Sequence, residues 1–116
     1  MARARRGENL VADWYRNEGW TVVARNWRCT RGELDVVCER NGTLVVCEVK
    51  TRRNADFGHP FESVDARKLQ RLRRAVAAYL AARRSAGEPV PERVRFDVAA
   101  VIGDVVDVRR DIGNSL

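Results

Sequence analysis

The dipeptide Asn41-Gly42 constrains the fold of this chain more than any other feature of its sequence. It separates two runs rich in β-branched residues, 33–40 and 43–51, and Asn-Gly between such runs is typical of a two-residue β-hairpin turn. The turn fixes the register of the two strands, and this register places Asp35 opposite Glu48. The sequence therefore predicts two carboxylates that face each other across neighbouring strands.

The same register predicts a small charged cluster at one end of the hairpin. Because side chains alternate along a strand, we expect Glu33, Asp35, Glu48 and Lys50 on one face. Two facing carboxylates repel each other, so the pair needs one protonated carboxyl group, compensating cationic side chains, or a divalent cation between the two. Close pairs of oxygen ligands suit Mg²⁺ or Mn²⁺. The alternative is a solvated strand end, where Lys50 and nearby arginines neutralise the pair.

Periodicity and turn residues predict the remaining elements. They are a helix over 7–19, a strand over 20–24, a long helix capped by Ser63 and ending near Gly87, a strand over 94–98, and a short strand over 105–108. Helices before and after a mixed sheet indicate a layered α/β domain of order α-β-β-β-α-β, with a short further strand.

The length of 116 residues suits one compact domain, which we place at 7–108, between a mobile basic arm (1–6) and a short tail (109–116). Uninterrupted apolar runs such as Val98 to Ile102 are far shorter than the ~18 residues of a membrane span. No apolar stretch typical of a secretory signal follows the basic start. We therefore expect a cytoplasmic protein without a membrane partner.

The charge balance favours a polyanionic partner. The chain has 22 basic and 16 acidic residues, a net charge of +6, and only Lys50 and Lys68 among the basic residues are lysine. Nucleic acid is the commonest polyanion, although an arginine-rich solvated surface is the alternative. In such a chain the two lysines are candidates for places where a compact ammonium group is needed, and chance is the alternative.

Several strings of residues match one known family in a fixed order. They are Gly7-Glu8, Arg25-Asn26, Gly32-Glu33-Leu34-Asp35, Glu48-Val49-Lys50-Thr51-Arg52, Phe57-Gly58-x-Pro60, Lys68 and Arg95-Phe96-Asp97-Val98. With them the chain resembles the YraN family of small bacterial proteins, predicted endonucleases of the PD-(D/E)xK superfamily with a restriction-endonuclease-like fold. Leu34 stands where that motif has Pro, and Cys47 where Phe is common. The family is also similar to archaeal Holliday-junction resolvases, which implies branched DNA as a candidate substrate.

The resemblance implies a Mg²⁺ or Mn²⁺ site for phosphodiester hydrolysis. Asp35 and Glu48 would bind the cation, helped by the backbone carbonyl of Val49, and Glu8 would complete its ligands. Lys50 would orient the attacking water or stabilise the developing charge. A favourable interaction with the helix N-terminus is the alternative role of Glu8. We expect Glu33, one position further out, to have a secondary or structural role.

Other basic residues are candidate contacts to nucleic acid. Arg52 follows the motif lysine and suits a contact to a backbone phosphate, and Lys68 in the long helix could reach the scissile phosphate. Arg67, Arg71 and Arg74 are spaced at i, i+4 and i+7 and form one basic stripe on that helix. A solvated helix face is the alternative for the stripe, and an ordinary surface lysine for Lys68.

Three functions are compatible with these observations. The first is a metal-dependent endonuclease that acts on DNA, including branched recombination or repair intermediates. The second is a non-catalytic nucleic-acid-binding module or adaptor in DNA processing, and the third is a structural protein whose carboxylates balance its arginines. The complete set of Asp35, Glu48 and Lys50 favours the first. Symmetrical cutting of a junction needs two sites and therefore a homodimer.

Overall fold

The computed structural model describes residues 2–52 and 65–112, with side chains from Arg5 onward. Its elements are, in chain order, α1 (Ala2–Asn17), β1 (Thr21–Cys29), β2 (Gly32–Arg40), β3 (Thr43–Arg52), α2 (Ala66–Ser85), β4 (Arg93–Ile102) and β5 (Val105–Arg109). This order confirms the predicted α/β fold. Within these ranges neither helix is long and apolar enough to cross a membrane.

The five strands form one mixed sheet between the two helices. They lie in the order β1-β2-β3-β4-β5, with β3 and β4 parallel and the other neighbours antiparallel. On one face, here the α1 face, Val11 and Tyr15 pack against apolar strand residues. On the other, the α2 face, Leu69, Leu72 and Val76 do the same. The sheet is therefore covered by a helix on each face, as predicted.

The hairpin has the predicted turn and register. Asn41 and Gly42 both have positive φ, 50° and 80°, as a two-residue turn between twisted strands requires. The ladder of facing residues runs from Arg40 and Thr43 next to the turn to Val36 and Cys47. The turn thus brings the candidate carboxylates to the far end of the hairpin.

Several boundaries differ from the prediction, and β4 also extends to Ile102, past the predicted end at residue 98. The first helix begins at Ala2 rather than Gly7, so residues 2–6 are helical instead of forming an arm, because alanine and arginine are strong helix formers. The cap of α2 is Asp65, which accepts the backbone N–H of Lys68, and not Ser63. β1 continues to Cys29, past the predicted end at residue 24. The string 57–60 lies outside the described residues.

A buried carboxylate fixes α1 against the sheet. The side chain of Asp97 on β4 is fully buried and accepts the Tyr15 hydroxyl at 2.6 Å, two Arg95 nitrogens at 3.0 and 2.9 Å, and the Asp111 backbone N–H at 2.9 Å. Burial and the nearby negative charge raise the pKa of Tyr15, which keeps its hydroxyl a donor. A buried charge is tolerated when it is paired in this way. The pairing holds α1 in the orientation that carries Glu8.

Gly7 sets how closely α1 approaches β3. A Cβ atom on Gly7 would overlap the Thr51 hydroxyl, so only glycine allows this approach. Gly7 directly precedes Glu8 in α1, and Thr51 directly follows Lys50 in β3. Glycine at position 7 therefore allows Glu8 to lie next to the end of the hairpin.

We predict that Gly7→Ala destabilises the protein, although the same change inside an exposed helix stabilises it by about 1 kcal/mol. The sign is reversed here because the new methyl group meets the Thr51 hydroxyl. In a Thr51→Ala background the overlap is gone, and Gly7→Ala should then be neutral or stabilising. Urea unfolding of the four proteins measures this cycle. Stabilisation by Gly7→Ala in the wild-type background would show that the close approach does not exist.

Candidate metal and nucleic-acid site

The site lies where the ladder between β2 and β3 ends. Beyond the facing pair of Val36 and Cys47, the Asp35 side chain accepts the backbone N–H of Val49 at 2.9 Å. A carboxylate oxygen thus receives a strand N–H that would otherwise face the neighbouring strand. Asp35 is held beside Val49 and therefore close to the next candidate ligand, Glu48.

The alternation of side chains along β2 is broken at Asp35. Leu34 packs in the cluster on the α2 face, whereas Val36 packs in the cluster on the α1 face. Residues two apart in a regular strand share a face, so the strand has turned its side chains over between these two positions. Asp35 is the residue at this reversal.

Because of this reversal, the prediction that Glu33, Asp35, Glu48 and Lys50 share one face is wrong. Glu48 follows Val46 in phase and pairs with a lysine of α2, so it lies on the α2 face with Lys50. Asp35 instead lies close to Glu33, in the same strand, and to Glu8 of α1. The hairpin register is as predicted, but the two groups of acidic residues approach the end of the hairpin from different sides.

Three carboxylates form the first group. One carboxylate oxygen from each of Glu8, Glu33 and Asp35 lies within 4.8 Å of the others. All three residues are partly buried, and the Arg28 Nε lies 3.4 Å from the Glu33 Oε2. Among the described residues, Glu48 is outside this set. Glu33, expected to be secondary, is therefore as well placed to bind a cation as Glu8.

Glu48 is the second acidic group and is tied to two lysines. Its side chain is only 7% exposed, and its Oε1 lies 3.3 Å from the Lys50 Nζ and 3.1 Å from the Lys68 Nζ. Lys68 enters from the first turn of α2, which Asp65 caps. The two lysines of the chain thus meet at one carboxylate oxygen, and the other Glu48 oxygen has no ion pair within the described ranges.

Negative charge is in excess around Asp35. Burial, together with the charges of Glu48, Glu8 and Glu33, raises the pKa of Asp35 to about 7, against the opposing hydrogen bond from Val49. Four carboxylates face two ammonium groups here. Oxygen ligands with excess negative charge suit a hard divalent cation such as Mg²⁺ or Mn²⁺.

The predicted nucleic-acid contacts differ in placement. Arg52 ends β3, and its guanidinium donates to the Thr51 carbonyl at 2.9 Å, so part of its donor set is used by its own strand. Arg67, Arg71 and Arg74 are all exposed on α2, opposite the side that packs on the sheet. They form the predicted basic stripe, which begins next to Lys68.

Comparison with known proteins gives one family. Residues 7–101 match the model of a family described as "Uncharacterised protein family UPF0102". A UPF0102 protein of Paenarthrobacter aurescens is 49% identical over 102 residues, which are 88% of this chain and 81% of the relative. A UPF0102 protein of Acidothermus cellulolyticus is 47% identical over 107 residues, 87% and 81% of the two chains. One of Streptomyces griseus is 43% identical over 101 residues, 87% and 82%.

We predict that ionised Asp35 destabilises the metal-free protein. Its folded pKa of about 7 lies above the unfolded value of about 4, so the free energy of unfolding falls as pH rises between these values. Asp35→Asn removes this dependence. In EDTA, the free energy of unfolding of the wild type should fall by on the order of 2 kcal/mol between pH 5 and pH 8, relative to that of Asp35→Asn.

Urea unfolding at several pH values measures the difference. Asp107→Asn is the matched control because Asp107 is an exposed carboxylate on β5, and its pH profile should parallel that of the wild type. Parallel profiles for wild type and Asp35→Asn would mean that Asp35 has an ordinary pKa.

Proposed function

We propose that this chain, which belongs to the uncharacterised protein family UPF0102 (the YraN family that its sequence resembles), is a metal-dependent DNA endonuclease. One observation carries the proposal. Three carboxylates from α1 and β2 cluster at the end of one hairpin, where Glu48 of β3 pairs with two lysine ammonium groups. Metal-dependent phosphodiester hydrolysis uses a site for a divalent cation and a nearby positive group that stabilises the developing charge.

Each residue of the site would have its own role in phosphodiester hydrolysis. Asp35 and Glu48 would hold Mg²⁺ or Mn²⁺, with the Val49 carbonyl and Glu8 as further ligands. The bound cation would polarise the scissile phosphate and acidify a water molecule. Lys50, 3.3 Å from Glu48, would orient that water or stabilise the charge on the phosphate oxygens. Asp35 must lose its proton to act as a ligand, so cation binding should weaken as pH falls below about 7.

Lys68 connects the site to the surface that would hold DNA. Its ammonium group lies 3.1 Å from Glu48, and its helix carries the exposed arginine stripe. Phosphates that pass along α2 would contact Arg67, Arg71 and Arg74, and Arg52 would contact the backbone at the end of β3. We extend the proposal to branched DNA because the family resembles junction resolvases. Paired cuts would need a homodimer.

A non-catalytic nucleic-acid-binding module is the second candidate. The exposed arginine stripe favours it, because these side chains would bind phosphates without the carboxylates. In that case the protein would act as an adaptor for another DNA-processing factor. The two candidate functions differ in whether the protein cleaves DNA when a divalent cation is present.

We predict cleavage of labelled DNA that requires Mg²⁺ or Mn²⁺ and stops in EDTA. Linear, flapped and four-way DNA are compared, and branched DNA should be cut fastest. Glu48→Gln should lower the rate about 100-fold or more, because it removes a charge from the cation site. Glu92→Gln, a change of the same type near the hairpin turn at the other end of β3, should leave the rate unchanged.

Two results would count against the endonuclease. Salt-sensitive binding without cleavage in either metal would favour the binding module, because contacts to phosphates release counterions. Cleavage that persists in Glu48→Gln and in EDTA would come from a different site or a contaminating nuclease.

A further inference from the structure

Asn26 has an unusual backbone conformation inside a strand. Its φ of 51° is in the left-handed region, although it lies within β1, where strand residues have negative φ. The other two non-glycine residues with positive φ among those described are Asn41 in the hairpin turn and Asp111 after β5. The Asn26 side chain is exposed, so packing in the core does not explain the conformation.

The conformation of Asn26 coincides with a reversal of side-chain direction in β1. Ala24 and Trp27 both pack on the α2 face, although residues three apart in a regular strand lie on opposite faces. The Trp27 ring also meets the ring of Tyr79 of α2 edge-on, with centroids 5.3 Å apart. The strand therefore turns over once between Ala24 and Trp27, and Asn26 lies at this step.

The reversals in β1 and β2 are matched. Arg25 faces Val36 and Trp27 faces Leu34, so one residue separates the two facing pairs on each strand. Those intervening residues are Asn26 and Asp35. Both strands turn over at the same place, and the register of their facing residues continues across it without an inserted residue. The break in β2 thus coincides with a break in its partner strand.

The reversal places the Asp35 carboxylate. With regular alternation, Asp35 would follow Val37 onto the α2 face, away from Glu8. It lies instead within 4.8 Å of Glu8 and Glu33 and accepts the Val49 N–H at 2.9 Å. We propose that Asn26 is a positioning residue whose left-handed conformation keeps Asp35 at the cation site. Its role at a cation site rests on the proposed function, whereas its effect on Asp35 does not.

The residue type at position 26 fits this role. Asparagine adopts the left-handed conformation more readily than other residues with a side chain, and glycine adopts it without steric cost. Alanine strongly prefers negative φ. If the backbone conformation alone matters, glycine at position 26 should preserve the placement of Asp35. Alanine should not, although both residues lack the amide group.

The test compares Asn26→Ala and Asn26→Gly with Asn41→Ala as the matched control. Asn41 has nearly the same φ, 50°, but lies in the turn at the other end of the hairpin. The first readout is the NMR chemical shift of the Val49 amide proton in metal-free protein, which reports the hydrogen bond to Asp35. The second is the dissociation constant of Mn²⁺ alone, measured by calorimetry.

We expect Asn26→Ala to move the Val49 amide proton upfield and to weaken Mn²⁺ binding about tenfold, a typical effect of losing a residue that orients a ligand. Asn26→Gly and Asn41→Ala should leave both readouts at the wild-type values. The proposal is overturned if Asn26→Ala leaves the Val49 proton unchanged, or if Asn26→Gly or Asn41→Ala moves it as far as Asn26→Ala does. If Asn26→Ala does not fold, Asn26→Ser takes its place with the same expected shift, because serine also disfavours positive φ.

The two proposals can fail separately. A wild-type protein that binds no Mn²⁺, but whose Val49 proton responds to the variants as expected, would overturn the cation site and keep the positioning of Asp35 by Asn26. Normal Mn²⁺ binding in all variants, with an unmoved Val49 proton, would keep the cation site and overturn the role of Asn26.

Discussion

The hydrogen bond from the Val49 backbone to the Asp35 carboxylate is the contact on which the arrangement of the site depends. It forms where β2 leaves β3, so a side chain takes the place of a backbone partner. One contact thereby ties an acidic side chain of β2 to the strand that carries Glu48 and Lys50. A buried strand N–H needs a partner, so the contact also satisfies the backbone at the point where the sheet opens.

The site concentrates charge in a way that stability alone does not explain. Four carboxylates and two lysines lie at the margin of the core, and burial with neighbouring negative charge raises the pKa of Asp35 to about 7. Such unfavourable electrostatics are characteristic of functional sites. The Asp97 carboxylate is the contrast within the same protein, because it is fully buried and its partners Tyr15 and Arg95 satisfy it. Its role is structural.

The sequence was sufficient for the hairpin and the element order, since Asn-Gly fixes a turn, a turn fixes a register, and the apolar periods identify helices and strands. It was not sufficient for the face on which Asp35 lies. That prediction assumed unbroken alternation, and the residue type asparagine does not by itself reveal the left-handed conformation that Asn26 adopts within β1. The meeting of Lys68 with Glu48 and of Glu8 with Glu33 depends on how the two helices dock, which local patterns do not contain.

A divalent cation at the end of the hairpin is the central claim, and anomalous diffraction from crystals grown with Mn²⁺ tests it most directly. We expect one strong peak within about 2.0–2.3 Å of an Asp35 oxygen, with Glu48 and at least one of Glu8 and Glu33 among its neighbours. Crystals that hold Mn²⁺ elsewhere, with Asp35 still bonded to Val49 and no peak beside it, would show that these carboxylates do not form a metal site.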